Sequence, residues 1–195
     1  MRTRATTDSK RFTQTLGARS DVTHREPLYP ILVVQRRCHN RTVADETKKK
    51  WANPEESIHQ AIARWAAKCA DRVLPIFEKQ RPGDDRPRAA LKALRAWEDG
   101  TLPMTECRTA AFAAHAAARE AAAADAPAAV AAARACGQAA AVAHMFDHAP
   151  HAAAYASKAA GLHNGGDEAR IAERTWQWEN LEPELRPIGF PGGPQ

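Results

Sequence analysis

His144, His148 and His151 are spaced H-x3-H-x2-H, His115 lies on the helix expected before them, and Tyr155 stands one turn beyond His151. Two imidazoles four residues apart on a helix reach a single metal ion, so this is the richest chemistry in the chain. Two features weigh against a metal centre. Pro150 disfavours helical geometry at Ala149 and interrupts the regular spacing. There is no HExxH motif, and only Asp147 offers a carboxylate at a ligand spacing. The spacing instead predicts that one or two histidines are partly buried and hold a helix junction, the others lying on the surface. His144 is expected to be the buried one, because it continues the stripe Val130, Ala133, Gly137, Ala140. Together with Arg119, these residues form a candidate polar centre for structure or binding: His115, Arg119, His144, His148, His151 and Tyr155. No catalytic, metal or cofactor-binding residue is assigned, and no cofactor is expected.

Asp84-Asp85-Arg86 offers a pair of acids for metal or base work. Its place just before Pro87 makes capping and surface charge the better account of Asp84, Asp85 and Arg86. Arg119 and Arg134 sit in Ala-rich helices, where a guanidinium must reach solvent or find an acid such as Glu120 or Asp125. Trp176 and Trp178 read as packing anchors. Gly165-Gly166 lacks the GxxxxGK[ST] context of a phosphate loop, and neither GxSxG nor a Cys/His nucleophile signature occurs.

The elements that position these residues all carry helical periodicity. Asn53-Pro54-Glu55-Glu56 reads as a helix start, with Asn capping. Ile58, Ile62, Trp65, Cys69 and Val73 then share a face, and Pro75 predicts a kink or a restart. A second helix follows Asp84–Asp85 and buries Leu91, Leu94 and Trp97, with Gly100 as its stop. A third opens at Thr105-Glu106 with two candidate faces: Cys107, Ala111, Ala114, Ala118, or Arg108, Phe112, His115, Arg119. Asp125 and Pro127 open a fourth, whose Ala and Gly seam admits close helix approach. The fifth runs from Pro150 to Gly161. The sixth carries Ile171, Thr175 and Trp178 on one face, and an extended tail follows Pro183. The fold expected is all-α: one Ala-rich bundle of about six helices. It occupies residues 43–188, after a disordered basic N-terminal extension (1–42) and before a flexible C-terminal tail (189–195).

Charge is split along the chain. Residues 1–50 hold 12 Lys/Arg against 5 Asp/Glu; residues 51–195 hold 16 against 18. The net charge of +5 thus belongs to the front segment, and the helical part offers no whole-domain case for nucleic-acid binding. The four cysteines are scattered singly, three of them on apolar helical stripes, which reads as small buried hydrophobes. The apolar run at 28–34 is far shorter than the ~20 residues of a membrane span. The Ala-rich stretch is interrupted by Arg119, Glu120, Asp125 and Arg134. A cytoplasmic location without membrane contact is expected.

Several strings occur in one order: WAAKCADRVLPIFE (65–78), DDRPRAALKALRAWEDG (84–100), AHAAAREA (114–121), AAARACGQAAAVAHM (131–145), HAPHAAAYASKAAG (148–161) and ERTWQWENL (173–181). Across residues 63–188 they resemble the bacterial putative immunity protein family, a small helical domain similar to immunity protein five of polymorphic toxin systems. The resemblance implies an all-α fold and a partner: a cognate toxin neutralised by binding, without catalysis. Two further readings stand beside it. One is a metal-dependent enzyme built on His115, His144, His148 and His151. The other is a nucleic-acid-associated protein acting through the basic tail.

Overall fold

The computed structural model describes residues 52–193. The expected N-terminal extension, and Cys38 within it, lie outside these residues. Seven α-helices and no strand occur among them: α1 (Glu56–Gln80), α2 (Arg86–Glu98), α3 (Met104–Ala123), α4 (Pro127–Ala141), α5 (Ala149–Asn164), α6 (Asp167–Glu179) and the short α7 (Arg186–Gly189). Three-ten turns at Phe146–His148 and Pro183–Leu185 join the last of them. None of these helices is long and apolar enough to cross a membrane.

The arrangement follows from the smallest side chains. α4 packs against α1, α2, α3 and α5, and ten of its fifteen residues are buried, every one Ala, Cys or Gly. Only such residues let four neighbours close in on one helix. Alanine buries little area, however. Ile62, Phe77, Leu91 and Leu94 are fully buried around α4, and each contributes about 1.5–3 kcal/mol of hydrophobic stabilisation. Cys69, Cys107 and Cys136 are buried free thiols in the same core. Burial pushes Cys69 and Cys136 far above the ordinary thiol range and Cys107 up to about 11, so none is a thiolate at neutral pH.

Several local expectations are corrected. α1 continues through Pro75, because Val73, Leu74, Ile76 and Phe77 anchor it in the core on both sides. Asn53 does not cap α1. Its side-chain amide donates to the His144 carbonyl (3.0 Å), and its Oδ1 accepts from the Phe146 amide (3.0 Å), fastening the start of α1 to the turn after α4. Nor does Asp125 cap α4: it sits at φ 51°, a left-handed turn that Asp tolerates, and Ala126 precedes the helix. α5 runs past Gly161 to Asn164 and stops at Gly165, whose φ of 87° supplies the left-handed cap.

The inward face of α6 is polar. Glu173 and Gln177 are buried, while Ile171 is 55% exposed. Gln177 Nε2 donates to the Ala153 carbonyl (3.0 Å) and to Glu173 Oε1 (3.2 Å), Arg72 Nε donates to Glu173 Oε2 (2.9 Å), and Trp65 Nε1 donates to the Gln177 carbonyl (2.9 Å). These hydrogen bonds make a polar seam tolerable where an apolar stripe was expected, although Gln177 Oε1 stays buried without a partner. The bundle also extends beyond residue 188. Gly189 and Phe190 are buried, with the Phe190 ring 5.7 Å from that of Trp65 and 5.3 Å from that of Trp178.

Candidate functional site

α4 reaches solvent along one narrow stripe: Pro127 and Arg134 are exposed, Val130 and Gln138 partly so. α3 and α5 flank that stripe. Of the two candidate faces of α3, Cys107, Ala111, Ala114 and Ala118 are buried. Arg108, Phe112 and Arg119 therefore lie on the outside, with Phe112 60% exposed, while half-buried His115 turns in against α4. From α5, His151, Tyr155, Lys158 and Leu162 follow at steps of four, three and four residues and so share one face. The three helices together present a continuous surface with α4 at its centre.

His115 sets how closely α3 and α4 approach. Its imidazole lies against Gly137, where an added Cβ would meet Cε1 at 2.6 Å and Nδ1 at 2.8 Å. No larger residue leaves room for the ring. Burial holds the His115 pKa below its ordinary value, and the charges of Arg134, Arg119 and His148 push it in the same direction. His148 is half-buried and places Nδ1 2.8 Å from Gln138 Oε1, so the ring N–H donates to the amide oxygen. Its pKa is also lowered, first by burial. Arg134 donates from Nη1 to the Tyr155 hydroxyl (3.3 Å), its guanidinium 5.7 Å from the Tyr155 ring centre.

Of the six residues of the expected polar centre, His115, Arg119 and His148 are electrostatic neighbours, His151 and His144 act on His148 in turn, and Tyr155 joins through Arg134. His151 is exposed on α5. His144 departs from expectation: α4 ends at Ala141, and His144 lies exposed in the turn beyond it. The four histidines thus supply no common ligand set. No group of three or more His, Cys, Asp or Glu side chains among the described residues is placed to hold a metal ion.

Asp84, Asp85 and Arg86 divide their roles. Asp84 Oδ1 accepts from the Arg86 amide (3.2 Å) and from its Nε (2.8 Å), and Oδ2 accepts from Nη2 (2.7 Å). Arg86 also reaches across to Glu120 of α3 at 2.6 and 2.8 Å. This network holds the Asp84 and Glu120 carboxyls below their ordinary range, chiefly through the hydrogen bonds from Arg86. Asp85 precedes α2 without a side-chain capping bond.

A feature beyond the expected centre is a pocket of about 370 Å³ at the α3–α4 turn, between α4 and α5. Val130, Arg134, Tyr155, Lys158 and Leu162 line it, with Asp125 at the turn. The three-and-four spacing of Tyr155, Lys158 and Leu162 was the available sequence signal. A mixed aromatic, basic and aliphatic stripe matches no motif, so the spacing alone does not mark a pocket.

No curated protein and no solved structure matches the chain. A family model described as Imm-5 like putative immunity protein matches residues 52–184, from the segment preceding α1 to the turn before α7. With that match over α1 to α6 and more than half of the chain, the chain belongs to the Imm-5 like putative immunity protein family.

Proposed function

We propose that the chain is a cytoplasmic binding protein that recognises a cognate bacterial toxin and neutralises it by occupying its surface, without catalysis. The observation that carries this reading is the family match over residues 52–184. The chemistry of the bundle supports it. The thiols among the described residues are buried and protonated, and the partly buried His115 and His148 rings pack against Gly137 and bond Gln138. What it presents outward is a preorganised helical surface bearing Arg, Tyr and Phe, the residue types that dominate protein–protein recognition. A test is to express a candidate toxin gene, taken from the chain's own gene neighbourhood, in a susceptible host with and without the chain. Survival only when the chain is co-expressed is the expected result. Equal killing in its presence contradicts the proposal.

A further inference from the structure

We propose that the α3–α4–α5 surface docks an acidic segment of the protein partner, a carboxylate entering the pocket between Arg134, Tyr155 and Lys158. This rests on the reading of the chain as a toxin-binding immunity protein. The first observation is how charge is paired. Arg72, Arg81, Arg86, Arg88, Arg95 and Arg170 each form an ion pair with an acid of the bundle. Arg108, Arg119 and Arg134 form none among the described residues, and neither does Lys158. These four lie on α3, α4 and α5. Arg64, Lys68 and Lys79 on α1, Lys92 on α2 and Arg186 on α7 also lack an ion pair among the described residues. Of all these cations only Arg134 and Lys158 line the pocket.

The second observation is shape. The pocket of about 370 Å³ is a concavity in which the Arg134 and Tyr155 donors lie 3.3 Å apart, with Lys158 one turn along α5. A guanidinium and a phenol so placed offer convergent N–H and O–H donors to one carboxylate. Val130 and Leu162 of the same lining take an adjacent aliphatic side chain, and Leu162 is itself 48% exposed.

Charge also selects the occupant. The chain's own residues 1–50 carry 12 Lys/Arg against 5 Asp/Glu and are repelled by a basic surface. A second copy would present the same unpaired cations. A long polyanion meets a helical part whose own balance is 16 Lys/Arg against 18 Asp/Glu, with Asp125 beside the pocket. A local acidic segment on a protein needs only the patch.

The probe is a short peptide alternating Glu and Leu, joined to the full chain by carbodiimide, which condenses a carboxylate with a lysine amine to an amide and releases the activating group as a urea. Mass spectrometry then maps the lysine used. The expected result is coupling concentrated at Lys158, reduced at least about tenfold in Arg134→Ala and unchanged in Arg88→Ala. Coupling spread over the lysines in proportion to exposure, or indifferent to Arg134→Ala, would overturn the proposal. So would stronger competition by an oligothymidylate than by free peptide, which would assign the surface to nucleic acid. The protection assay separates the two claims. Wild-type protection that is lost in Arg134→Ala/Lys158→Ala supports the docking surface. Equal protection by that variant overturns the surface and leaves the immunity reading standing. A wild-type chain that gives no protection overturns the immunity reading, and the coupling map still judges the surface.

Discussion

Two groups of arginines in this bundle make different contacts. On α1 and α2, Arg72, Arg86, Arg88 and Arg95 each meet a carboxylate: Glu173 at 2.9 Å, Glu120 at 2.6 Å, Glu78 at 2.5 Å, and Asp71. On α3 and α4, Arg108, Arg119 and Arg134 meet aromatic rings or solvent and no acid of the described residues. Net charge says nothing of this, because both groups are cationic. A cation already paired within the fold holds helices in register. One without an acid in the fold meets solvent and is open to a partner's carboxylate. Exposed pairs contribute little to stability, so the contrast concerns available chemistry more than strength.

The largest expected effect breaks the most buried of the internal pairs. Arg72→Ala strands the Glu173 carboxylate in the α1–α6 seam, leaving it Gln177 Nε2 as partner. The expected loss is about 2–3 kcal/mol, below the full range for buried pairs because Arg72 is itself 40% exposed. Denaturant unfolding measures it, and a change under about 0.5 kcal/mol would show the seam to be wetter than its burial implies.

Next comes the close contact beneath the α3–α4–α5 surface. Gly137→Leu must expel the His115 ring or part α3 from α4, for a destabilisation of about 1–3 kcal/mol despite leucine's better helix propensity. An unchanged or raised unfolding midpoint would mean that the ring moves aside freely.

Titration of the same rings gives a smaller effect. His115 and His148 have pKa values below the ordinary 6.5, so the unfolded chain takes up protons first as pH falls. The stability they contribute is complete above that value and is lost as pH drops through it towards the folded values. Half-buried Glu98, its carboxyl raised by burial, acts in the opposite sense. The informative quantity is therefore a difference. The melting temperature should fall less between neutral and mildly acid pH in His115→Gln than in the wild type. Parallel curves would remove His115 from the account.

The smallest effect is expected where partner binding is proposed. Arg119→Ala and Arg134→Ala should stay within about 0.5 kcal/mol of the wild type in thermal or chemical unfolding, as surface changes away from packed features do. A large loss from either would mean that these arginines serve the fold after all.

Much of this architecture was legible from local signals. Pro87, Pro127 and Pro150 stand in the first turns of α2, α4 and α5, and the Cys107–Ala118 face of α3 is the buried one, which turns Arg108, Phe112 and Arg119 outward. What was not legible depends on residues far apart in the chain. Nothing in Ala-Val-Ala-His marks a helix end. α4 stops at Ala141, and the turn beyond it is fastened by Asn53, 91 residues from His144, so His144 leaves the seam. The polar interior of α6 depends on Arg72, 101 residues from Glu173, and apolar periodicity cannot register a buried carboxylate with a distant partner. The pocket was missed for a related reason. Arg134 and Tyr155 were each visible, but their meeting with Lys158 and Val130 is a product of how α4 and α5 pack.

The most direct test of the account is oxidative footprinting of the purified chain, alone and mixed with the toxin against which it protects in the co-expression assay. Phe112, Tyr155 and Leu162 report on the α3–α4–α5 surface, and Ile171, exposed on α6, reports on the opposite case. The account predicts a stable complex in which the first three lose reactivity and Ile171 keeps it. Protection of Ile171 with Phe112, Tyr155 and Leu162 still reactive, or no complex at all, would contradict it.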